Sequence, residues 1–294
     1  MIAADARETL RTVVAAALAA VDPEIAVHHH LALGDGKIGV GDADFPLDDL
    51  DRVLVIGAGK AGVPMSRAVE AALRGLSYDG HVIVPHGQAS ALERIQIHEA
   101  GHPVPDEAGV QAGRAVLKSL ADADEKTVVI CLISGGGSAL LVCPVEGVTL
   151  EDLQATNQAL LACGATIVEI NTLRKHLSAV KGGQLARATV PARMLTLILS
   201  DVVGDPLDAI ASGPTVPDTT TYEDCVAIVD RYGLENLLPP MVIRRLLDGA
   251  SGGLMETPKL GDPIFEKVTN ILVANNDSAV RAAAHKAAEL GYKS

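Results

Sequence analysis

The residues of this chain that could do chemistry lie in a few short runs. The first is Gly57-Ala58-Gly59-Lys60-Ala61-Gly62, a G-x-G-x-x-G spacing that directly follows the apolar run Val53-Leu54-Val55-Ile56. Glycines so spaced turn a strand into a helix and bring helix-end amides against a phosphate or carboxylate. Lys60 stands inside that turn, where the positive end of the helix dipole disfavours a cation unless an anion lies beside it. Gly57, Gly59 and Lys60 are therefore candidates for an anion site with a positive charge supplied by the protein. The alternative is a tight strand–helix turn with Lys60 in solvent.

A second run, Ser134-Gly135-Gly136-Gly137-Ser138, offers successive amides and two hydroxyls after the apolar segment Thr127 to Ile133. Such a loop suits a phosphate held by backbone N–H groups, although the G-x-x-x-x-G-K-[ST] spacing of a Walker A loop is absent. Asp201 and Asp205 share a third loop. They could hold Mg²⁺, which takes one or two carboxylates plus waters and phosphate oxygens, or one could accept a proton from a hydroxyl. Turn formation explains them as well, Asp205 especially, since it precedes Pro206. Asn275 begins a fourth strand-end run, Asn275-Asn276-Asp277. Arg174, Lys175 and Lys181 form a basic cluster suited to clamping carboxylate or phosphate, and a solvated helix face accounts for them equally. His102, in the connector His102-Pro103-Val104-Pro105-Asp106, is a further candidate base. His28-His29-His30 are adjacent, and neighbours on an extended segment point in opposite directions, which argues against a shared metal.

These runs need a frame. Helices are expected over about Asp5–Val21, Ala61–Leu73, Asp106–Ala121, Thr149–Ala162, Thr166–Asn171, from about Lys181, and over Tyr222–Tyr232 and Ser278–Leu290. Strands are expected over Val53–Ile56, His81–Val84, Thr127–Ile133, Met194–Leu199 and Ile271–Ala274. Strands alternating with helices imply βαβ units. The fold class is thus α/β, a Rossmann-like three-layer α/β/α domain with a mostly parallel sheet. In such sheets ligands bind beyond the carboxyl ends of the strands, where strand order reverses. A boundary near Leu237-Leu238-Pro239-Pro240 divides residues 1–240 from the beginning of a second α/β lobe in residues 241–294. Gly291 caps the last expected helix, and with Ser294 following so soon that lobe reads as truncated.

Composition sets limits on partners. The 294 residues carry a net charge of −13, which speaks against a nucleic-acid or anionic-membrane surface. Apolar residues make up 48% and aromatics only 2%, so small aliphatics must fill the core. Cys131, Cys143, Cys163 and Cys225 show no C-x-x-C pair and read as reduced thiols of a cytoplasmic protein. No stretch has the length and apolarity of a membrane span. A dinucleotide site is expected to place a carboxylate at the end of the second strand to hold the ribose; here Val84-Pro85-His86-Gly87 supplies none, and since an NADP enzyme can carry a basic residue there, His86 leaves the dehydrogenase reading weakened but open.

The ordered set V-I-G-A-G-K-A, H-P-V-P-D, L-I-S-G-G-G-S-A-L-L, N-T-L-R-K-H-L-S-A-V-K-G-G-Q-L-A and L-S-D-V-V-G-D-P-L-D-A-I-A-S-G-P-T strongly resembles the class II glycerate 2-kinases, some of which carry the label hydroxypyruvate reductase. The resemblance runs from the first helix to the chain end. It implies Mg²⁺-assisted transfer of the ATP γ-phosphoryl group to the 2-hydroxyl of D-glycerate, in a cleft between two α/β lobes. Lys60 matches the family's lysine in the glycine turn, Ser134 to Ser138 its glycine-rich loop, and Asp201 its strand-end aspartate. With these go catalytic roles for Lys60 and Asp201, metal binding by Asp201 and Asp205, and substrate or phosphate binding by Gly57, Gly59, Ser134, Gly135, Gly136, Gly137, Ser138, Arg174 and Asn275. Against the family pattern the chain is expected to lack the C-terminal part, which supplies a catalytic arginine. NAD(P)H-dependent reduction of hydroxypyruvate and an inactive ligand-binding fragment are the rival readings. Homo-oligomer formation stays open.

Overall fold

Pro23 makes the first break in the chain. Helix α1 (Ile2–Ala20) gives way to α2 (Pro23–His30), which Asp22 caps by accepting from the amides of Glu24 and Ile25. Pro23 fills a first-turn position whose N–H needs no partner. The sequence reading is revised at two points. The first helix begins at Ile2, so Asp5 lies within it, and His28, His29 and His30 occupy a helical last turn instead of a loop. The computed structural model describes residues 2–34, 36–40 and 43–292. Asp35 and the terminal Ser294 lie outside them. An antiparallel ribbon not anticipated from sequence follows: β1 (Leu31–Gly34), β2 (Lys37–Val40) and β3 (Ala43–Pro46).

The main sheet is built from β4 (Arg52–Ala58), β5 (Tyr78–Pro85), β6 (Ile95–Ala100), β7 (Thr127–Ile133), β8 (Arg193–Leu199) and β9 (Val268–Ala274). All neighbours pair in parallel, in the order β6-β5-β4-β7-β8-β9. Chain order therefore reverses between β4 and β7, the arrangement of a doubly wound Rossmann sheet. Helices α3 (Gly62–Ala72), α4 (Glu107–Ala121), α5 (Gly137–Leu140) and α11 (Asn276–Glu289) follow β4, β6, β7 and β9. The edge strand β6 was not foreseen, because Gln96, His98 and Glu99 dilute its apolar signal. The sequence places 241–294 in a new lobe; in the structure β9 is the sixth strand of this same sheet, with Ile271 in register with Leu197 of β8.

The pleat divides the apolar residues between two cores. Val53, Val55, Val82, Ile130 and Leu197 pack on one face with Met65 and Val69 of α3. Leu54, Ile56, Ile83, Cys131 and Ile198 pack on the other with Val116 and Leu120 of α4. A third core lies off the sheet. It joins α6 (Leu150–Ala162), α7 (Ile167–His176), α9 (Tyr222–Tyr232) and α10 (Pro240–Ala250) through Leu160, Leu173, Ile228 and Leu246. Capping boxes at Thr149/Asp152, Thr166/Glu169 and Thr221/Asp224 start three of these helices. Helix α7 runs past the expected end at Asn171 to His176, which carries Arg174 and Lys175 onto a helix. The short α8 (Gln184–Thr189) leads back to β8.

Candidate functional site

At the reversal point, the loops leaving β4 and β7 lie against each other. Gly57 sits inside β4, where a Cβ would fall 2.3 Å from the carbonyl oxygen of Leu132. Gly59 takes a φ of +151°, and a Cβ there would lie 2.0 Å from Ser134 Oγ. The turn's amides are all engaged within the protein. Gly59 N–H donates to Ile83 O, Lys60 N–H to Gly135 O, Ala61 N–H to Ser134 Oγ and Gly62 N–H to Gly59 O. The glycine turn is a clasp between two strand ends, and its amides from Gly59 to Gly62 are spent within the protein. Ser134, buried, belongs to that clasp.

The β7 loop differs. Its Ser134 N–H donates to Ala58 O and its Gly137 N–H to Ser134 O. Among the described residues the amides of Gly135, Gly136 and Ser138 have no hydrogen-bond partner. Three side chains approach this loop. A Cβ on Gly136 would meet His102 at 3.0 Å and Lys60 Cε at 3.4 Å, and one on Gly135 would lie 2.1 Å from the Asp201 carboxylate. Lys60, His102 and Asp201 are all exposed, and no hydrogen bond holds the Lys60 ammonium or the Asp201 carboxylate among the described residues. Partial desolvation and then the Lys60 charge hold the His102 pKa below 6.5, with Asp201 acting against them. His102 is thus neutral near pH 7 and equipped to accept a proton.

The other sequence candidates have separate attachments. Asp205, at φ +52°, accepts from Asn275 Nδ2 at 2.6 Å. Asn275 Oδ1 meanwhile caps α11 by accepting from the Ser278 amide. Asn275 is committed on both sides, and Asp205 keeps one carboxylate oxygen. Ser138 Oγ lies 2.8 Å from Ser212 Oγ, and Ser212 donates to Asn171. Ala211 and Ser212 both have positive φ, a strained pair held in place by that network.

Beyond Gly136 and Ser138 a cleft of about 250 Å³ opens toward the helical core, reached by His102, Asn157, Arg174, Ser178 and Lys181. Asn157 fixes the Arg174 guanidinium by accepting from Nε at 2.6 Å. Lys181, buried, donates to Ser138 O and Leu141 O, both at 2.8 Å. Desolvation, helped by the Arg174 charge, pushes its pKa down to about 7. Lys175, next to Arg174, turns away from the cleft and is buried against Asp218 at 3.2 Å. Sequence reasoning missed Asn157, because one asparagine within an amphipathic helix carries no signal of its own. It grouped Lys175 with Arg174 and Lys181, although helical geometry sends adjacent residues to different faces.

Residues 9–247 match the model of a family described as a domain of unknown function, DUF4147. A glycerate 2-kinase of Pyrococcus horikoshii is 43% identical over 293 residues, covering 100% of this chain and 65% of that protein. A protein of Agrobacterium vitis whose name carries the hydroxypyruvate reductase label is 45% identical, over 97% of this chain and 60% of its own length. The crystal structure of a glycerate kinase from Thermotoga maritima superposes with a TM-score of 0.82 at 37% identity, covering 98% of this chain and 63% of that one. The chain therefore spans about three fifths of the length of these relatives.

Proposed function

This chain belongs to the glycerate kinase family, and from that premise we propose that it serves ATP-dependent phosphorylation of D-glycerate at the 2-hydroxyl, giving 2-phosphoglycerate and ADP. The observation that carries the proposal is the β7 loop. The amides of Gly135, Gly136 and Ser138, unpaired among the described residues, lie on the loop that Lys60, His102 and Asp201 approach at the sheet's reversal point. Phosphoryl transfer depends on positioning and charge stabilisation more than on covalent chemistry, and this set supplies both.

In the proposed mechanism the loop amides hold an anionic oxygen, and Lys60 balances charge on the transferring group. His102 or Asp201 accepts the proton of the attacking hydroxyl, and Arg174 steadies the acid. The donors suit Mg²⁺: Asp201 is exposed and without a hydrogen-bond partner among the described residues, and Asp205 keeps one oxygen. Mg²⁺ held there would neutralise phosphate oxygens. Gly57, Gly59 and Ser134 shape the site from behind, and Asn275 positions Asp205.

The reductase label on the Agrobacterium relative suggests hydride transfer, and two observations weigh against it here. The glycine-turn amides that would face a pyrophosphate are already bonded, and β5 ends at Pro85, followed by His86, without the ribose-binding carboxylate of an NAD site. The test follows ADP release from Mg-ATP with D-glycerate and identifies the product by phosphorus NMR. 2-Phosphoglycerate is the expected product. NAD(P)H consumption with hydroxypyruvate, and no phosphorylated product, would overturn the proposal.

A further inference from the structure

The cleft beside Ser138 holds positive charge with no negative counterpart among the described residues. The chain carries 37 acidic residues against 24 Lys and Arg, yet among the described residues neither Arg174 nor Lys181 has a carboxylate partner. The contrast with Lys175 is sharp. That lysine, 3% exposed, is buried with the Asp218 carboxylate at 3.2 Å, and Asp208 lies 3.9 Å away. Lys181, 6% exposed, has only two carbonyls, so one of the three ammonium donors is unspent. Of the guanidinium's five N–H donors only Nε–H of Arg174 is taken, by Asn157. A half-buried guanidinium beside a buried ammonium is costly unless an anion joins them. Burial and then the Arg174 charge push the Lys181 pKa down to about 7, and an anion beside it would favour the charged form.

We propose that Arg174 and Lys181 form the carboxylate subsite of this cleft, binding a small 2-hydroxy acid with its carboxylate on the two cations and its carbon chain against Pro103, Val142 and Leu153. The inference rests on the kinase reading only for which acid is bound. A carboxylate fits better than a triphosphate. The cleft measures about 250 Å³ and part of its wall is apolar, which suits a short carbon chain carrying one charge. His102 and Gly136 reach this cleft and also border the Lys60–Asp201 cluster. An acid anchored by its carboxylate would thus present its hydroxyl toward the proton acceptor.

The test is calorimetric titration of the full chain with D-glycerate, with its neutral amide 2,3-dihydroxypropanamide, and with ADP. The wild-type chain is expected to prefer the acid to the amide. Arg174→Gln should weaken D-glycerate binding about 10- to 100-fold, the range for losing a hydrogen bond to a charged group, abolish the preference over the amide, and leave ADP binding unchanged. Lys181→Met should act the same way, and its fold is checked by far-UV circular dichroism. Arg174 is half-buried with a single hydrogen bond, so Arg174→Gln keeps the test decisive if Lys181→Met does not fold. The proposal is overturned if wild type binds no D-glycerate, if the acid-to-amide ratio survives Arg174→Gln, or if ADP binding falls instead. Failure of the kinase reading shows separately: acid binding that responds to Arg174→Gln, without phosphoryl transfer, leaves the subsite standing.

Discussion

Lys60 has little to do for the fold. Its side chain is exposed and has no hydrogen bond among the described residues, while its amide closes the clasp through Gly135 O. Lys60→Ala keeps the amide, so its effects on function and stability should separate. Turnover should fall by about 100-fold or more, the scale for losing a charge-stabilising donor, and thermal stability should change by no more than about 0.5 kcal/mol. Loss of folding with normal turnover in the remainder would refute the assignment. The electrostatic coupling at His102 can be read without activity. Burial and the Lys60 charge lower its pKa and Asp201 raises it. An NMR titration of the His102 ring should therefore show the pKa rising in Lys60→Met and falling in Asp201→Asn. If His102 is the proton acceptor, kcat/KM falls as pH drops through that lowered pKa, because the protonated ring cannot accept.

At the scale of elements, the site depends on how well each loop and helix start is held. Ser134→Ala removes the acceptor for the Ala61 amide and leaves it unsatisfied at the strand–helix turn, a cost of about 1–3 kcal/mol measurable by urea denaturation. Helix α7 presents Arg174, and its capping box starts it. Glu169 accepts from the Thr166 amide and hydroxyl and from Tyr232 and Arg231. These bonds, the Thr166 amide first, bring its pKa down to about 2. A carboxylate depressed in the folded state contributes stability that is complete above its usual value near 4.5 and is lost as pH falls toward about 2. The midpoint difference between wild type and Glu169→Gln should accordingly be largest near neutrality and narrow steadily below about pH 4. A pH-independent difference would place the effect elsewhere than in ionisation.

For the whole molecule, Asp218 joins the helical core to the segments that return to the sheet. It is 1% exposed and accepts from Lys175, Thr220 and Thr257, bonds that hold its pKa down against burial. Asp218→Ala strands a buried lysine, which should cost about 3–5 kcal/mol in urea unfolding; a cost below about 1 kcal/mol would mean that water reaches Lys175. The local signals were enough to read the α/β class, the parallel frame, the strand Thr127–Ile133, the second half of β9 at Ile271–Ala274, and the loops at their ends. Apolar runs, cap residues and glycine turns act over a few residues, so sequence alone determines them. The β1–β3 ribbon, the polar edge strand β6, helix α10 and Asn157 were missed: the ribbon's strands are only four residues long, α10 starts at the Pro239-Pro240 break taken for a boundary, and β6 and Asn157 take their places through partners distant in sequence. Only the tertiary structure decided what each loop has left to offer. Two glycine runs look alike as sequence. Gly59 nests against Ser134 and spends every amide of its turn, whereas Gly135, Gly136 and Ser138 keep theirs. Three basic residues within one short segment look alike as well, until Asp218 neutralises Lys175 and, among the described residues, no carboxylate neutralises Arg174 or Lys181. A donor or a charge is free only if no distant partner claims it, and that depends on which segments the fold brings together.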